Sequence, residues 1–178
     1  DAQGIPIEKP EDLFKRIAKN LAKEDLRYGS TKKEMGKTEK EFYNSMVNME
    51  FLPNLPTIAN AGRKLQQLAA CFVLPIPDNT EGIFQAVKDL ALIQRTGGGT
   101  GFSFSKLRPE GSHVNETGGI ASGPVSFMKV FDCATAAIKE GGIRRGANMG
   151  ILRIDHPDIE KFIKAKEKGE LPNFNISI

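Results

Sequence analysis

The sequence predicts an α/β fold in which an N-terminal helical segment precedes alternating helices and short strands, and three observations predict it. Apolar residues recur at helical spacing in residues 10–26, 81–95 and 122–140. Between and after them lie short apolar or alternating runs of strand length, CFVLP at 71–75, GFSFS at 101–105, ILRI at 151–154 and a closing NFNISI. Glycine clusters, GGGTG at 97–101 and GGIRRGANMG at 141–150, occupy the passages from helix to strand. Strands separated by helices argue for at least partly parallel pairing.

The first helix places Leu13, Phe14, Ile17, Ala18 and Leu21 on one face, with Pro10 suited to its first turn and Gly29 beyond its end. A basic, polar link at 30–37 leads to Thr38-Glu39-Lys40-Glu41, which reads as a capping box opening a second helix over about 39–50. Pro53 and Pro56 predict an extended path, and Asn60-Ala61-Gly62 a turn. The division expected is a helical segment at 1–52 and an α/β region at 53–178. The CFVLP run is a buried strand closed by Pro75 and Pro77, and Ile83, Phe84, Val87, Leu90 and Ala91 give the third helix its stripe. A strand at 101–105 runs into a polar loop at 106–121, a length at which loops tend to be functional. Ser122 caps a fourth helix with Pro124 in its first turn and Val125, Met128, Phe131, Ala134 and Ile138 as its stripe. After the strand at 151–154, Pro157 opens a fifth helix that ends near Gly169.

Composition excludes several classes. The 178 residues are 39% hydrophobic with 25 basic and 22 acidic side chains, a net charge of +3 that signals neither nucleic-acid nor membrane binding. No apolar run approaches the roughly 20 residues of a membrane span, and no signal-peptide pattern opens the sequence, so a cytoplasmic protein is expected. Cys71 and Cys133 are too few for a disulfide framework and lack metal-ligand spacing, and neither histidine is near them in sequence. The sequence opens without methionine and closes inside a strand-like stretch, which reads as part of a larger protein.

Individual motifs leave alternatives open. The 97–101 cluster is not a P-loop, having no GK[ST], and it follows a helix where a dinucleotide fingerprint follows a strand; it either faces a ligand or packs tightly. Arg144 and Arg145 between Gly142 and Gly146 suit phosphate or base edges, or are solvated surface arginines. Cys71 reads as a small buried hydrophobe or as a redox thiol, whereas Cys133 is accounted for by its helix's apolar stripe. Thr57 is a phosphate donor or a turn-stabilising hydroxyl, and Asp78 a ribose acceptor or a helix cap. His113 reads as exposed and His156, beside Pro157, as part of a helix start; neither has a triad partner.

Order and spacing do more than any single motif. FLPNLPTIANAG, LAACFVLPIPD, RTGGGTGFSFSKLRPEG, TGGIASGPVSFMKVFD and GGIRRGANMGILRIDHPDI together resemble the catalytic subunit of ribonucleotide reductase, most closely its adenosylcobalamin-dependent class. The resemblance implies the first part of a ten-stranded α/β barrel, incomplete in this chain, acting on ribonucleoside di- or triphosphates by thiyl-radical chemistry with adenosylcobalamin. It implies that Cys71 is one of the reducing thiol pair, and that Thr57, Ala70, Cys71 and Gly97 meet the substrate. Asp78, Arg108 and Arg144 would serve a deoxynucleotide or ATP effector that sets specificity. Partners implied are the remainder of the barrel, a thioredoxin-like or other dithiol reductant, and a second copy docked through the helices at 81–95 and 122–140. No match to the radical cysteine or the second reducing cysteine is present, so the chain is expected to be inactive alone. The competing reading is a non-catalytic nucleotide-sensing or dimerisation module derived from the same fold.

Overall fold

A computed structural model describes residues 7–114, 118–138, 146–167 and 169–178. Two compact units divide the chain, Asp1–Ala70 and Cys71–Ile178. The sequence reading put the division at 52–53. It falls later because residues 58–68 belong to the first unit's core, with Ile58, Ala61 and Leu68 packed on helix α1 (Pro10–Ala22).

In the first unit, Ile17 and Ala18 of α1 are fully buried against Met46 of α2 (Lys32–Val47), as the helical stripe predicts. A short 3-10 stretch, Lys23–Tyr28, extends α1 and stops at Gly29, whose φ of 92° is the left-handed conformation that favours glycine. The capping box is not at Thr38. Thr31 caps α2, accepting from the Glu34 N–H while the Glu34 carboxylate receives the Thr31 N–H at 2.8 Å. The same Thr-x-x-Glu pattern occurs twice, and nothing in between breaks a helix strongly enough to delay its start. The extended path expected at 53–58 is also corrected, to a short helix α3 (Leu55–Asn60). Pro56 lies in its first turn, where its missing N–H costs nothing, and Asn54 caps it. Arg16 locks this corner, donating to the Glu8 carboxylate at 2.8 Å and to the carbonyls of Ile58 and Ala61.

The second unit carries a four-stranded, all-parallel sheet in the order β1 (Cys71–Leu74), β2 (Gly99–Ser103), β5 (Asn148–Ile151) and β6 (Phe174–Ser177). Helix α4 (Thr80–Arg95) joins β1 to β2, α5 (Gly123–Ile138) precedes β5, and α6 (Ile159–Lys164) precedes β6. Within the loop expected at 106–121 is a two-residue antiparallel pairing, β3 (His113–Val114) with β4 (Gly119–Ile120). Two strands lie earlier in the chain than periodicity suggests, β2 running Gly99–Ser103 where 101–105 is expected and β5 Asn148–Ile151 where 151–154 is expected. Ladder bonds to neighbouring strands recruit residues that propensity alone leaves outside a strand.

The core lies on the helix-covered face of the sheet. Leu90 of α4, Met128 and Phe131 of α5, Phe162 of α6 and Phe102, Phe104 and Phe174 are buried together. Phe131 meets Phe102 and Phe104 edge-on, with ring centroids at 4.8 and 5.7 Å. Each such ring contributes about 1.5–3 kcal/mol by leaving water. Strand alternation sends Cys71, Val73, Gly99, Gly101, Met149 and Ile151 to the opposite face, where Val73 is 87% exposed.

Candidate functional site

Beyond the carboxyl ends of β1 and β2 is a pocket of about 410 Å³, within the range of small-molecule sites. Asp78, Asn79, Thr80 and Ile83 form one wall, Arg108, Val114 and Ile120 a second, and Ser122, Gly123 and Phe127 a third. Asp78 and Arg108, thirty residues apart, are brought together here. The Arg108 Nε donates to Asp78 Oδ2 at 2.8 Å and the Arg108 N–H to Oδ1 at 3.2 Å. Asp78 is free for this because Asn79 does the capping of α4, accepting the Gly82 N–H at 2.7 Å. The first turns of two sixteen-residue helices, α4 and α5, line the same space. Helix N-termini carry partial positive charge and spare N–H donors, so with Arg108 they favour an anionic ligand such as a phosphate. Ile83, Val114, Ile120 and Phe127 add an apolar surface on which a base or sugar can lie.

The amino ends of the strands make a different arrangement. Cys71 is a free, exposed thiol at the start of β1, paired in register with Gly99. The buried-hydrophobe reading of Cys71 is therefore overturned, and so is the apolar-stripe account of Cys133, which is exposed on α5. Gly97 takes a φ of 89° and closes α4: its N–H bonds to the Gln94 carbonyl at 2.9 Å and that of Gly98 to Ile93 at 3.2 Å. Behind this turn is a buried neutral network. Gln94 Nε2 donates to Asn148 Oδ1 at 2.8 Å and Thr100 Oγ1 at 3.1 Å, Thr100 donates to Asn148 Oδ1, and Asn148 Nδ2 donates to Thr135. Gln94 Oε1 is buried without a partner among the described residues. It lies against Gly146, where a Cβ would meet it at 2.4 Å.

The remaining candidates are placed as follows. Thr57 is buried in α3, its hydroxyl 2.6 Å from Asn54 Oδ1 and 3.0 Å from the Leu68 carbonyl, so it is engaged in holding that turn. Ala70, half-buried, immediately precedes Cys71. Arg144 lies outside the described residues, as does Arg145. His113 is exposed on β3, as its sequence context suggests, whereas His156 is buried, bonded through Nε2 to the Leu107 carbonyl at 2.9 Å. Sequence reasoning passes over Gln94, and reads His156 as a helix start without its buried bond to Leu107. The signal for Gln94 was available: a glutamine continues the Ile83, Ala86, Leu90 stripe, and a polar residue in an apolar register predicts a buried partner. Among the described residues, no group of three His, Cys, Asp or Glu side chains is placed to hold a metal ion, and no helix is long and apolar enough to cross a membrane.

Comparison with known proteins agrees with this architecture. Two family models match, "Ribonucleotide reductase, all-alpha domain" over residues 1–66 and "Ribonucleotide reductase, barrel domain" over residues 69–178. A vitamin B12-dependent ribonucleoside-diphosphate reductase of Thermoplasma acidophilum is 59% identical over 139 residues, covering 77% of this chain and 18% of the relative. One from Mycobacterium tuberculosis is 46% identical over 182 residues, covering all of this chain and 25% of its own length. The class Id ribonucleotide reductase alpha subunit of Actinobacillus ureae shares the fold with a TM-score of 0.75 at 22% identity, covering 98% of this chain and 31% of that one. The chain thus spans about a fifth to a quarter of the curated relatives it matches. An all-helical unit followed by consecutive parallel β/α units, with both family models matching in that order, makes this chain a member of the ribonucleotide reductase large-subunit family.

Proposed function

We propose that the chain forms part of a ribonucleoside-diphosphate reductase, with Cys71 as one of the two thiols that reduce the ribose. The observation that carries this is the exposed Cys71 at the amino end of β1, on the face the helices leave open and beside a glycine strand. A thiol pair reduces the 2′ carbon by supplying two electrons and two protons; the 2′ hydroxyl departs as water and the pair becomes a disulfide. Cys133, on a helix covering the other face, is not placed to be its partner, so the second thiol belongs to the remainder of the barrel. The same placement favours catalysis over the non-catalytic sensing or dimerisation module. By family resemblance Thr57, Ala70 and Gly97 are assigned with Cys71 to substrate binding; Thr57 would exchange its bond to Leu68 for a phosphate oxygen.

The pocket at Asp78 and Arg108 is assigned to a deoxynucleotide or ATP effector, with phosphates at Arg108 and the helix N-termini and Asp78 accepting a sugar hydroxyl. Arg144 is assigned to the loop that relays effector identity to substrate choice. A dithiol reductant, a second copy docked through α4 and α5, and a cytoplasmic location complete the proposal. The curated relatives named above are vitamin B12-dependent. Adenosylcobalamin is assigned to the full reductase, of whose curated relatives this chain spans about a fifth to a quarter.

The test is turnover of a ribonucleoside diphosphate by the full reductase polypeptide carrying this chain, supplied with adenosylcobalamin and a dithiol. Cys71→Ser is expected to abolish multiple turnover while nucleotide binding persists. Unchanged turnover in that variant would remove Cys71 from the chemistry.

A further inference from the structure

Asp158 occupies the N-cap position of α6, yet its side chain makes no cap bond to its own helix. It reaches across instead, its Oδ2 accepting the Glu110 N–H at 2.9 Å, forty-eight residues away in sequence. The His156 ring stands beside it. Its Nδ1 accepts the Asp158 N–H at 3.1 Å and its Nε2 donates to the Leu107 carbonyl at 2.9 Å, which fixes the tautomer with the proton on Nε2. His156 is 7% exposed, so these bonds are shielded from water. Leu107 and Glu110 flank Arg108 in the chain, so the segment that carries Arg108 is tied through its main chain to His156 and Asp158, while Asp78 accepts from the Arg108 N–H and Nε.

The opposite pocket wall leans on the same carboxylate. Gly123, at φ 75°, has no room for a side chain: a Cβ there would come within 2.8 Å of Asp158 Oδ2 and 2.9 Å of the Glu110 nitrogen. Lys161 of α6 pairs with Glu110 and reinforces the junction. Neither His156 nor Asp158 lines the pocket, yet both bear on segments that do.

We propose that His156 and Asp158 are positioning residues for the effector pocket, setting where the Arg108 guanidinium stands relative to the N-termini of α4 and α5 and so how strongly the pocket holds phosphate. The inference rests on the reading of that pocket as a nucleotide site. A shift of Arg108 would weaken the grip on phosphate without altering the apolar surface offered to the base.

The experiment is equilibrium binding of dATP and of deoxyadenosine to the full reductase polypeptide, for the parent, Arg108→Ala, Asp158→Ala, Asp158→Asn, His156→Leu and His156→Gln. Asp158→Ala and His156→Leu are expected to weaken dATP binding about three- to tenfold, the scale of one lost hydrogen bond, and to leave deoxyadenosine binding unchanged. Asp158→Asn, which keeps an acceptor for Glu110, and His156→Gln, which keeps a donor for Leu107, are expected to restore it. Asp158→Ala is decisive if the buried histidine variants do not fold, because it removes no core side chain. Equal dATP affinity in Asp158→Ala and the parent, or equal weakening of dATP and deoxyadenosine, overturns the positioning role provided Arg108→Ala still loses dATP. If Arg108→Ala binds dATP as the parent does, the nucleotide reading of the pocket falls and takes this inference with it.

Discussion

At the amino ends of β2 and β5 the polar groups are neutral amides and hydroxyls, buried and bonded to one another; beyond the carboxyl ends of β1 and β2 they are charged, half-exposed and turned toward a cavity. The two arrangements are separated by the length of a four- or five-residue strand, about 15 Å. The difference teaches where stability and recognition reside. A buried neutral network costs its full desolvation when one member is removed, so it fixes geometry. A half-exposed ion pair is screened by water and contributes little to folding, which leaves its charges free to serve a ligand.

Substitution at the amino end is expected to have the largest effect on folding. Asn148→Ala removes the acceptor of Gln94 and Thr100 and the donor to Thr135, and should cost about 3 kcal/mol, read from the urea midpoint. Gly146→Ala should cost about 2 kcal/mol by overpacking against Gln94, and the double variant Gly146→Ala with Gln94→Ala should recover part of that loss relative to the sum of the singles. Additive losses in the double variant would show that the two residues do not meet.

At the carboxyl end, Arg108→Ala should change stability by less than about 1 kcal/mol while weakening dATP binding by about tenfold or more. An unfolded Arg108→Ala beside a stable Asn148→Ala would reverse the comparison. The smallest effect is expected from acid. Arg153 holds the Asp155 carboxyl below the usual aspartate value, chiefly by hydrogen bonds at 2.5 and 2.8 Å. A carboxylate depressed in the folded state stabilises the fold above its unfolded value and loses that contribution as pH falls through the folded value. Thermal melts should therefore show a small acid-side loss of stability that Asp155→Asn reduces.

The sequence made some of this legible and hid the rest for identifiable reasons. Helices α1, α4 and α5 and strand β1 were readable because their apolar periodicity and flanking prolines agree with what tertiary packing rewards. The start of β5 was not, because Asn148 looks foreign to a strand until Gln94 and Thr135, fifty-four and thirteen residues away, give it partners. Helix α3 was hidden by Pro56, which signals extension unless the position is a first turn. In the pocket, Asp78 and Arg108 came from family resemblance and not from spacing, since no local rule joins residues thirty apart. His156 and Asp158 have the same difficulty at greater separation.

The strand order carries a consequence for how the chain assembles. In β1–β2–β5–β6 each strand of the sheet lies beside the one synthesised before it, so no strand must wait for a distant sequence to arrive. Pairing each strand with its predecessor in the sheet keeps the loops that must close shorter than a shuffled order of the same strands would, which limits the entropy of closure. During translation each emerging β/α unit can add to an edge that is already formed, and β6 presents such an edge in turn.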